Sequence, residues 1–391
     1  MTRPREVLCP YCFTHWSTRL AAFRCTSSDD ARCPRVPDEA LGRLRGTPAP
    51  DEPRVLVKKG GLGQAFSVKQ GQPVLCECGS PTRPVCPTCH SSLPQRFTEA
   101  DSRTMALVGT RATGKSHYIA VTLHELEHRV GPNFGGSLML LDDASRDRVD
   151  KVLTRRLYDE QTVLDATRSA VVDRDVRVPL VSRLTLGQGR GATHSNLVFF
   201  DAAGEDLQSV NILAREARYI TQSDGLILLL DPLQIPAVRD ELGAGTAELP
   251  PLSADPYTML GRIAALTREA RGIPSKRRIE APLAITLSKS DMLRELLGED
   301  HPLYRTATVN GQFDPDAARN LSEQLRADVA GWLGERFDRL VKEEFAVSCY
   351  FAVSALGHNP VQGRLPNGVA PQRVEDPVLW MLHTWKAIPK R

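Results

Sequence analysis

The residues Gly109-Thr110-Arg111-Ala112-Thr113-Gly114-Lys115-Ser116 carry the chemistry most easily read from this chain. Glycines at both ends let a loop turn tightly enough for backbone N–H groups to converge on phosphate oxygens. A helix opening behind the loop adds its positive end. Lys115 can reach the β- and γ-phosphates of a nucleotide, and the Ser116 hydroxyl can ligate Mg²⁺. His117 follows directly; it is counted among the nucleotide-contacting residues and given no catalytic role. The apolar run Met105–Val108 before the loop and the helical pattern from Lys115 to about Arg129 after it supply the context the motif needs, which a chance Gly-rich turn lacks.

Three further groups follow in order. Asn196-Leu-Val-Phe-Phe200 reads as a strand ending at Asp201-Ala-Ala-Gly204-Glu205. Asp201 can hold the Mg²⁺ hydration shell, and Gly204 can offer its N–H to a γ-phosphate. Pro282–Leu287 is another strand, leading into Ser288-Lys289-Ser290-Asp291. A carboxylate at Asp291 can accept from guanine N1–H and the 2-amino group, whereas adenine would leave it unpaired. Lys289 can lay its stem along the base; the plainer reading of the tetrapeptide is a cap for a helix near Met292. Finally, Ser354-Ala355-Leu356 closes the last strand, where a backbone N–H can meet guanine O6. Guanine is the expected base.

The cysteines suggest a second chemistry. Eight of nine lie between Cys9 and Cys89: Cys9-Pro-Tyr-Cys12, Cys25, Cys33, Cys76-Glu-Cys78 and Cys86-Pro-Thr-Cys89. Close pairs of thiolates are what tetrahedral zinc requires, and eight fit two ions. A sequential partition places Cys9, Cys12, Cys25 and Cys33 on one ion and Cys76, Cys78, Cys86 and Cys89 on the other. An interleaved partition pairs the two Cys-Pro-x-Cys knuckles instead. Redox use or an iron–sulfur cluster are lesser alternatives. His90 could replace a cysteine but reads better as an exposed neighbour. Cys349, in a strand pattern, reads as a core residue.

Elements must position these groups. From Thr104 onward, strand patterns at 105–108, 138–141, 176–186, 196–200, 225–230, 283–287 and 346–353 alternate with helical ones at 115–129, 143–158, 206–220, 257–271 and 317–342. That alternation predicts an α/β fold, a mostly parallel sheet with helices on both faces, over residues 103–391. Residues 1–95 form the cysteine-rich, zinc-ribbon-like module, whose stretch from Pro34 to Gln72 reads as loop with one hairpin.

Composition narrows the class. The chain has 391 residues and a formal charge of +3. Residues 1–103 hold 15 Lys and Arg against 10 Asp and Glu, an excess of five; the rest hold 35 against 37. That is a weak footprint for nucleic acid. No apolar run approaches the ~18 residues of a membrane span, and the N-terminus lacks a secretory apolar segment. A cytoplasmic protein is expected.

The set Gly109–Ser116, Asp201–Gly204, Ser288–Asp291 and Ser354–Leu356 resembles the translation-factor-related superfamily of P-loop GTPases from about Thr104 to the end. With its cysteine-rich front it also resembles the double-GTPase group of bacterial conflict-type gene clusters. The resemblance implies GTP or GDP with Mg²⁺, a partner that is itself a GTPase, and a role in signalling or defence. It also implies a Mg²⁺-sensing threonine, for which Thr167 is the choice, Thr162 the rival, and an ordinary loop threonine the alternative. Three departures stand out: a long segment between Ser116 and Asp201 that reads as holding an extra strand and helix, Ser288 where the family has Asn or Thr, and Glu205 where many relatives carry a water-orienting Gln. An anionic side chain there positions water poorly, so slow intrinsic hydrolysis is expected. The competing readings are a non-hydrolysing GTP-binding interaction protein and a P-loop ATPase with a nucleic-acid-contacting zinc module.

Overall fold

The computed structural model describes residues 6–59, 74–94, 97–110, 112–165, 179–200, 214–242, 252, 255–304 and 313–388. It divides into two compact units, Met1–Ser102 and Arg103–Arg391.

The first unit is built from short strands. β1 (Glu6–Leu8) pairs antiparallel with β2 (His15–Ser17). β3 (Leu20–Cys25) lies between β6 (Val55–Lys59) and β7 (Thr82–Val85), antiparallel to both. β4 (Arg35–Pro37) and β5 (Asp51–Pro53) also pair antiparallel, and α1 (Glu39–Arg45) lies between them in sequence. The hairpin expected between Pro34 and Gln72 is thus accompanied by a helix that pattern-reading missed. Seven residues give too few turns for an apolar stripe to register. Its ends are nonetheless explicit: the Asp38 carboxylate accepts from Leu41 N–H at 3.0 Å, and Gly46 adopts a left-handed φ of 63°.

Asp38 also anchors the interior. Arg24, 1% exposed, donates from Nη2 to Asp38 Oδ2 at 2.6 Å and to the His90 carbonyl at 3.1 Å. His90 Nδ1 meets Asp38 Oδ1 at 2.9 Å. Burial works against ionising Asp38, but the Leu41 N–H, Arg24 and His90 outweigh it, and its carboxyl sits below the usual range. Removing one partner strands a buried charge. Asp38→Ala is expected to cost ~3 kcal/mol, measurable by urea unfolding of the first unit.

The second unit holds a seven-stranded sheet in the order β14-β13-β12-β8-β11-β10-β9. The strands and helices are β8 (Asp101–Gly109), α2 (Lys115–Glu125), α3 (Gly131–Asn133), β9 (Ser137–Leu140), α4 (Asp143–Arg148), β10 (Leu180–Leu186), β11 (Thr193–Phe200), α5 (Ala214–Gln222), β12 (Gly225–Leu230), α6 (Pro236–Leu242), α7 (Pro256–Arg271), β13 (Leu283–Leu287), α8 (Arg294–Leu297), α9 (Pro315–Leu333), α10 (Glu335–Glu344), β14 (Ser348–Ala352) and α11 (Asp376–Thr384). β8, β12, β13 and β14 run parallel, with Leu228 opposite both Val108 and Ile285, and Ile285 opposite Tyr350. β12 and β13 are buried along their whole length, which explains why β12 is wholly apolar and β13 is apolar apart from Thr286. β10 is antiparallel to both β9 and β11, a reversed strand in an otherwise mostly parallel sheet, as expected.

Two helices differ from expectation. The pattern at 317–342 is divided between α9 and α10 because Gly334, at φ 79° and ψ 156°, cannot continue the helix. Two helical patterns also widen into π-helical stretches, Leu126–Val130 and Val149–Asp159. An apolar stripe does not distinguish these from α-helix. The helix expected from 206 begins, among the described residues, as α5. Cys349 lies buried in β14 as expected, and burial pushes its thiol up to about 11.

Candidate nucleotide site and cysteine groups

Because β8, β12, β13 and β14 are parallel, their carboxyl ends share one edge of the sheet, where α/β folds bind ligands. The loop Gly109–Ser116 leaves that edge. A Cβ on Gly109 would lie 2.7 Å from Leu229 O and 2.9 Å from Thr113 Oγ1, so only glycine fits. Gly114 takes φ 85° and caps α2. Ala112 is also left-handed, at φ 62°. Thr113 Oγ1 donates to Thr110 O at 2.9 Å. Buried Lys115 arches back over the loop, donating from Nζ to Gly109 O and Thr110 O at 2.9 Å each. Among the described residues, Lys115 thus sets a cation against the loop carbonyls with a helix N-terminus behind it, donors of the kind a phosphate chain needs.

His117 also holds a second segment of the chain. Its Nε2 accepts from Leu164 N–H at 3.1 Å, and burial, with the Lys289 charge, pushes its pKa down to about 4. It therefore ties α2 to the segment Gln161–Asp165. That segment is also held by Val163 N–H on Gly363 O at 3.0 Å and Leu365 N–H on Gln161 O at 2.7 Å. Thr162 donates from N–H to Arg156 O at 2.8 Å. Arg111, Thr167, Asp201, Gly204 and Glu205 lie outside the described residues; β11 ends at Phe200, immediately before Asp201.

The other edge groups converge. Ser354 Oγ donates to Asp291 Oδ1 at 2.5 Å and accepts from Gly357 N–H at 2.9 Å. Asp291 is thus fixed by the loop after β14, with lone pairs left to accept from a ligand. Lys289, left-handed at φ 52°, pairs through Nζ with Asp231 Oδ2 at 2.6 Å. The Asp231 side chain is fully buried and also accepts from Leu233 N–H at 3.0 Å. Ser288 Oγ donates to Leu230 O at 3.2 Å, so this hydroxyl braces β12. Ala355 and Leu356 pack partly buried against the core, and Ala370 N–H donates to Leu356 O at 2.9 Å.

Sequence reading missed Asp231, which stood out only as the residue ending a strand before Pro232. It also missed the loop 357–372, whose contacts with Gln161–Val163 join positions two hundred residues apart.

In the first unit the eight cysteines form two groups: Cys9, Cys12, Cys86 and Cys89, and Cys25, Cys33, Cys76 and Cys78. This is the interleaved partition; the sequential one does not occur. The physical reason is β3 pairing antiparallel with β7, which brings each end of the sequence beside the other. The two knuckles match. Phe13 N–H donates to Cys9 O and His90 N–H to Cys86 O, and both residues are left-handed, at φ 53° and 57°. Tyr11 and Thr88 N–H groups each lie 3.4 Å from the first sulfur of their knuckle. Sulfur separations are 3.8 Å (Cys9–Cys89), 3.9 Å (Cys12–Cys86), 3.6 Å (Cys25–Cys78) and 4.0 Å (Cys33–Cys76). Tetrahedral zinc at ~2.3 Å from each sulfur requires edges of ~3.8 Å, whereas a disulfide requires ~2.05 Å. Each group could hold one zinc ion. His90 joins neither; it serves Asp38.

No known protein-family profile matches the chain. It is 29% identical over 393 residues, 95% of this chain and 97% of the relative, to the "Putative ESX-1 scaffolding and assembly protein SaeC" of Mycolicibacterium smegmatis (strain ATCC 700084 / mc(2)155). That relative is named for scaffolding and assembly, not as a GTPase. Among solved structures, the chain is similar to an Aquifex aeolicus Era variant bound to GDP.AlF4⁻, with TM-score 0.29 and 11% identity. The likeness covers 74% of this chain and spans 58% of that one. Among the described residues no helix is long and apolar enough to cross a membrane.

Proposed function

We propose that the second unit is a P-loop domain that binds guanine nucleotide with Mg²⁺, and that the chain acts through protein partners, as a scaffolding or assembly factor does. The observation carrying the base assignment is Asp291, held by Ser354 at the sheet edge that bears the Gly109–Ser116 loop. Lys115 and the α2 N-terminus would bind phosphates. Ser116 and Asp201, with Thr167, would hold Mg²⁺, and Gly204 would sense the γ-phosphate. Lys289 would cover the base, and the loop after Ser354 would meet guanine O6. Mg²⁺, when bound, would screen phosphate charge. The two cysteine groups would hold structural zinc. Slow hydrolysis follows from Glu205, awaiting a cation from a partner; the partner is a second GTPase in one form of this reading.

The near full-length relative named for scaffolding favours a second reading, in which nucleotide is bound but not turned over. Phosphate release at the rate of an unstimulated chemical background would select it.

Asp291→Asn tests the base assignment. The amide offers an N–H toward the base C2 position, which suits the 2-oxo group of xanthine and not the guanine 2-amino group. GTP affinity is expected to fall by roughly 100-fold, about 2.7 kcal/mol, with xanthosine triphosphate gaining. Unchanged GTP affinity in a folded variant would remove Asp291 from the site.

A further inference from the structure

The first unit carries a concavity that adjoins the Cys9–Cys12–Cys86–Cys89 group through Tyr11 and His90 but has no cysteine among its described lining residues. It holds about 240 Å³, below the ~300–1,000 Å³ of pockets for drug-sized ligands. Arg24 from β3, Arg45 from the end of α1, Arg83 from β7 and His90 from the second knuckle all line it. Three stretches distant in sequence, around Arg24, Arg45 and 83–92, therefore bring nitrogen donors to the lining of a volume that suits one side chain.

The three arginines are not equivalent. Arg24 is buried and committed to Asp38, to the His90 carbonyl and, from Nη1, to Pro53 O at 3.3 Å. Arg45 and Arg83 are exposed, and among the described residues neither has an ion pair or a side-chain hydrogen bond. Asp38 holds His90 Nδ1, which leaves Nε2 as the ring's other polar atom. Ser91 and Ser92 also line the concavity. The lining has one carboxylate, Glu52, whose side chain is 3.5 Å from Arg24 Nη1. Like charges converging on one concavity repel unless an anion joins them, and guanidinium groups match planar or tetrahedral oxyanions with paired N–H donors.

We propose that this concavity binds one oxyanion group, a carboxylate or a phosphoryl group, borne on a side chain of a protein partner and gripped by Arg45 and Arg83 in front of the Arg24–Asp38–His90 network. The small volume admits a single charged side chain. Glu52 on the wall repels the successive charges of a nucleic-acid backbone.

The test uses the intact chain, labelled with ¹⁵N-arginine, and follows side-chain Nε–H resonances during titration with N-acetyl-O-phosphoserine amide and, separately, N-acetylglutamate amide. Arg45 and Arg83 signals are expected to shift saturably, with the tighter probe identifying the oxyanion. The exposed-residue double substitution Arg45→Ala/Arg83→Ala is expected to weaken binding more than about tenfold. Glu52→Gln is expected to tighten it about two- to fivefold by removing the opposing charge. No saturable shift with either probe, or equal binding by the double variant, would overturn the proposal. So would a short single-stranded oligonucleotide that binds more tightly than both probes and depends on the same two arginines.

Discussion

Cys12→Ser, Cys86→Ser and the two combined are expected to lose the same single zinc ion of two, as counted by native mass spectrometry. Their sulfurs are 3.9 Å apart although 74 residues separate them. Once one thiolate is gone the site cannot close around the metal, so the second loss adds nothing. Structural zinc contributes ~10–16 kcal/mol to folding in small domains, so each variant is also expected to lose amide-exchange protection across β3 and β7. The second unit, with its own core, should keep its protection in β12. The Cys25–Cys33–Cys76–Cys78 group should retain one ion in all three variants. If each single variant lost one ion and the combined variant lost two, the sequential partition would hold instead.

Gly357→Ala is expected to be among the most damaging single substitutions in the second unit. Gly357 takes φ 84°, and a Cβ there would lie 2.0 Å from Ala370 O. The clash is with backbone, so no side chain can swing aside. The left-handed conformation adds its own cost. Together these predict a loss of about 3–5 kcal/mol, readable as a lower urea midpoint at unchanged slope. The effect should also reach the candidate site. Gly357 N–H bonds to Ser354 Oγ, which holds Asp291, and Ser354 itself is bridged to Gln372 by N–H···O bonds of 2.8 and 3.0 Å. Exchange protection of Val163 and Leu365, whose N–H groups bond between the 357–372 loop and Gln161–Val163, should fall with it. A midpoint within error of wild type would mean that the loop relaxes freely and braces nothing.

Much of this molecule was legible because its chemistry is local in sequence. The eight residues from Gly109 to Ser116 encode a turn that their own types dictate, and the apolar runs of β12 and β13 identify strands buried on both faces. The strand endings at Leu287 and Ala352 place Ser288–Asp291 and Ser354 at one sheet edge once the strands are parallel. What was not legible depends on contacts between distant segments. The cysteine partition follows from β3 pairing with β7, and no spacing rule contains that register. Asp231 looked like a strand terminator because its partner, Lys289, lies 58 residues on. His117 reads only as a neighbour of the nucleotide because nothing nearby in sequence reveals that Leu164 N–H bonds to its ring. α1 was hidden for another reason: its seven residues carry a cap and a left-handed stop, but no periodicity.

Guanine nucleotide is proposed to bind at the edge formed by β8, β12, β13 and β14. Equilibrium binding of GTP, GDP and ATP to the intact protein with Mg²⁺, beside Lys115→Ala, tests it most directly. Tight GTP and GDP binding is expected, with ATP weaker by at least about 100-fold and all binding lost in the variant. ATP binding as tightly as GTP, or nucleotide binding that survives Lys115→Ala, would contradict it.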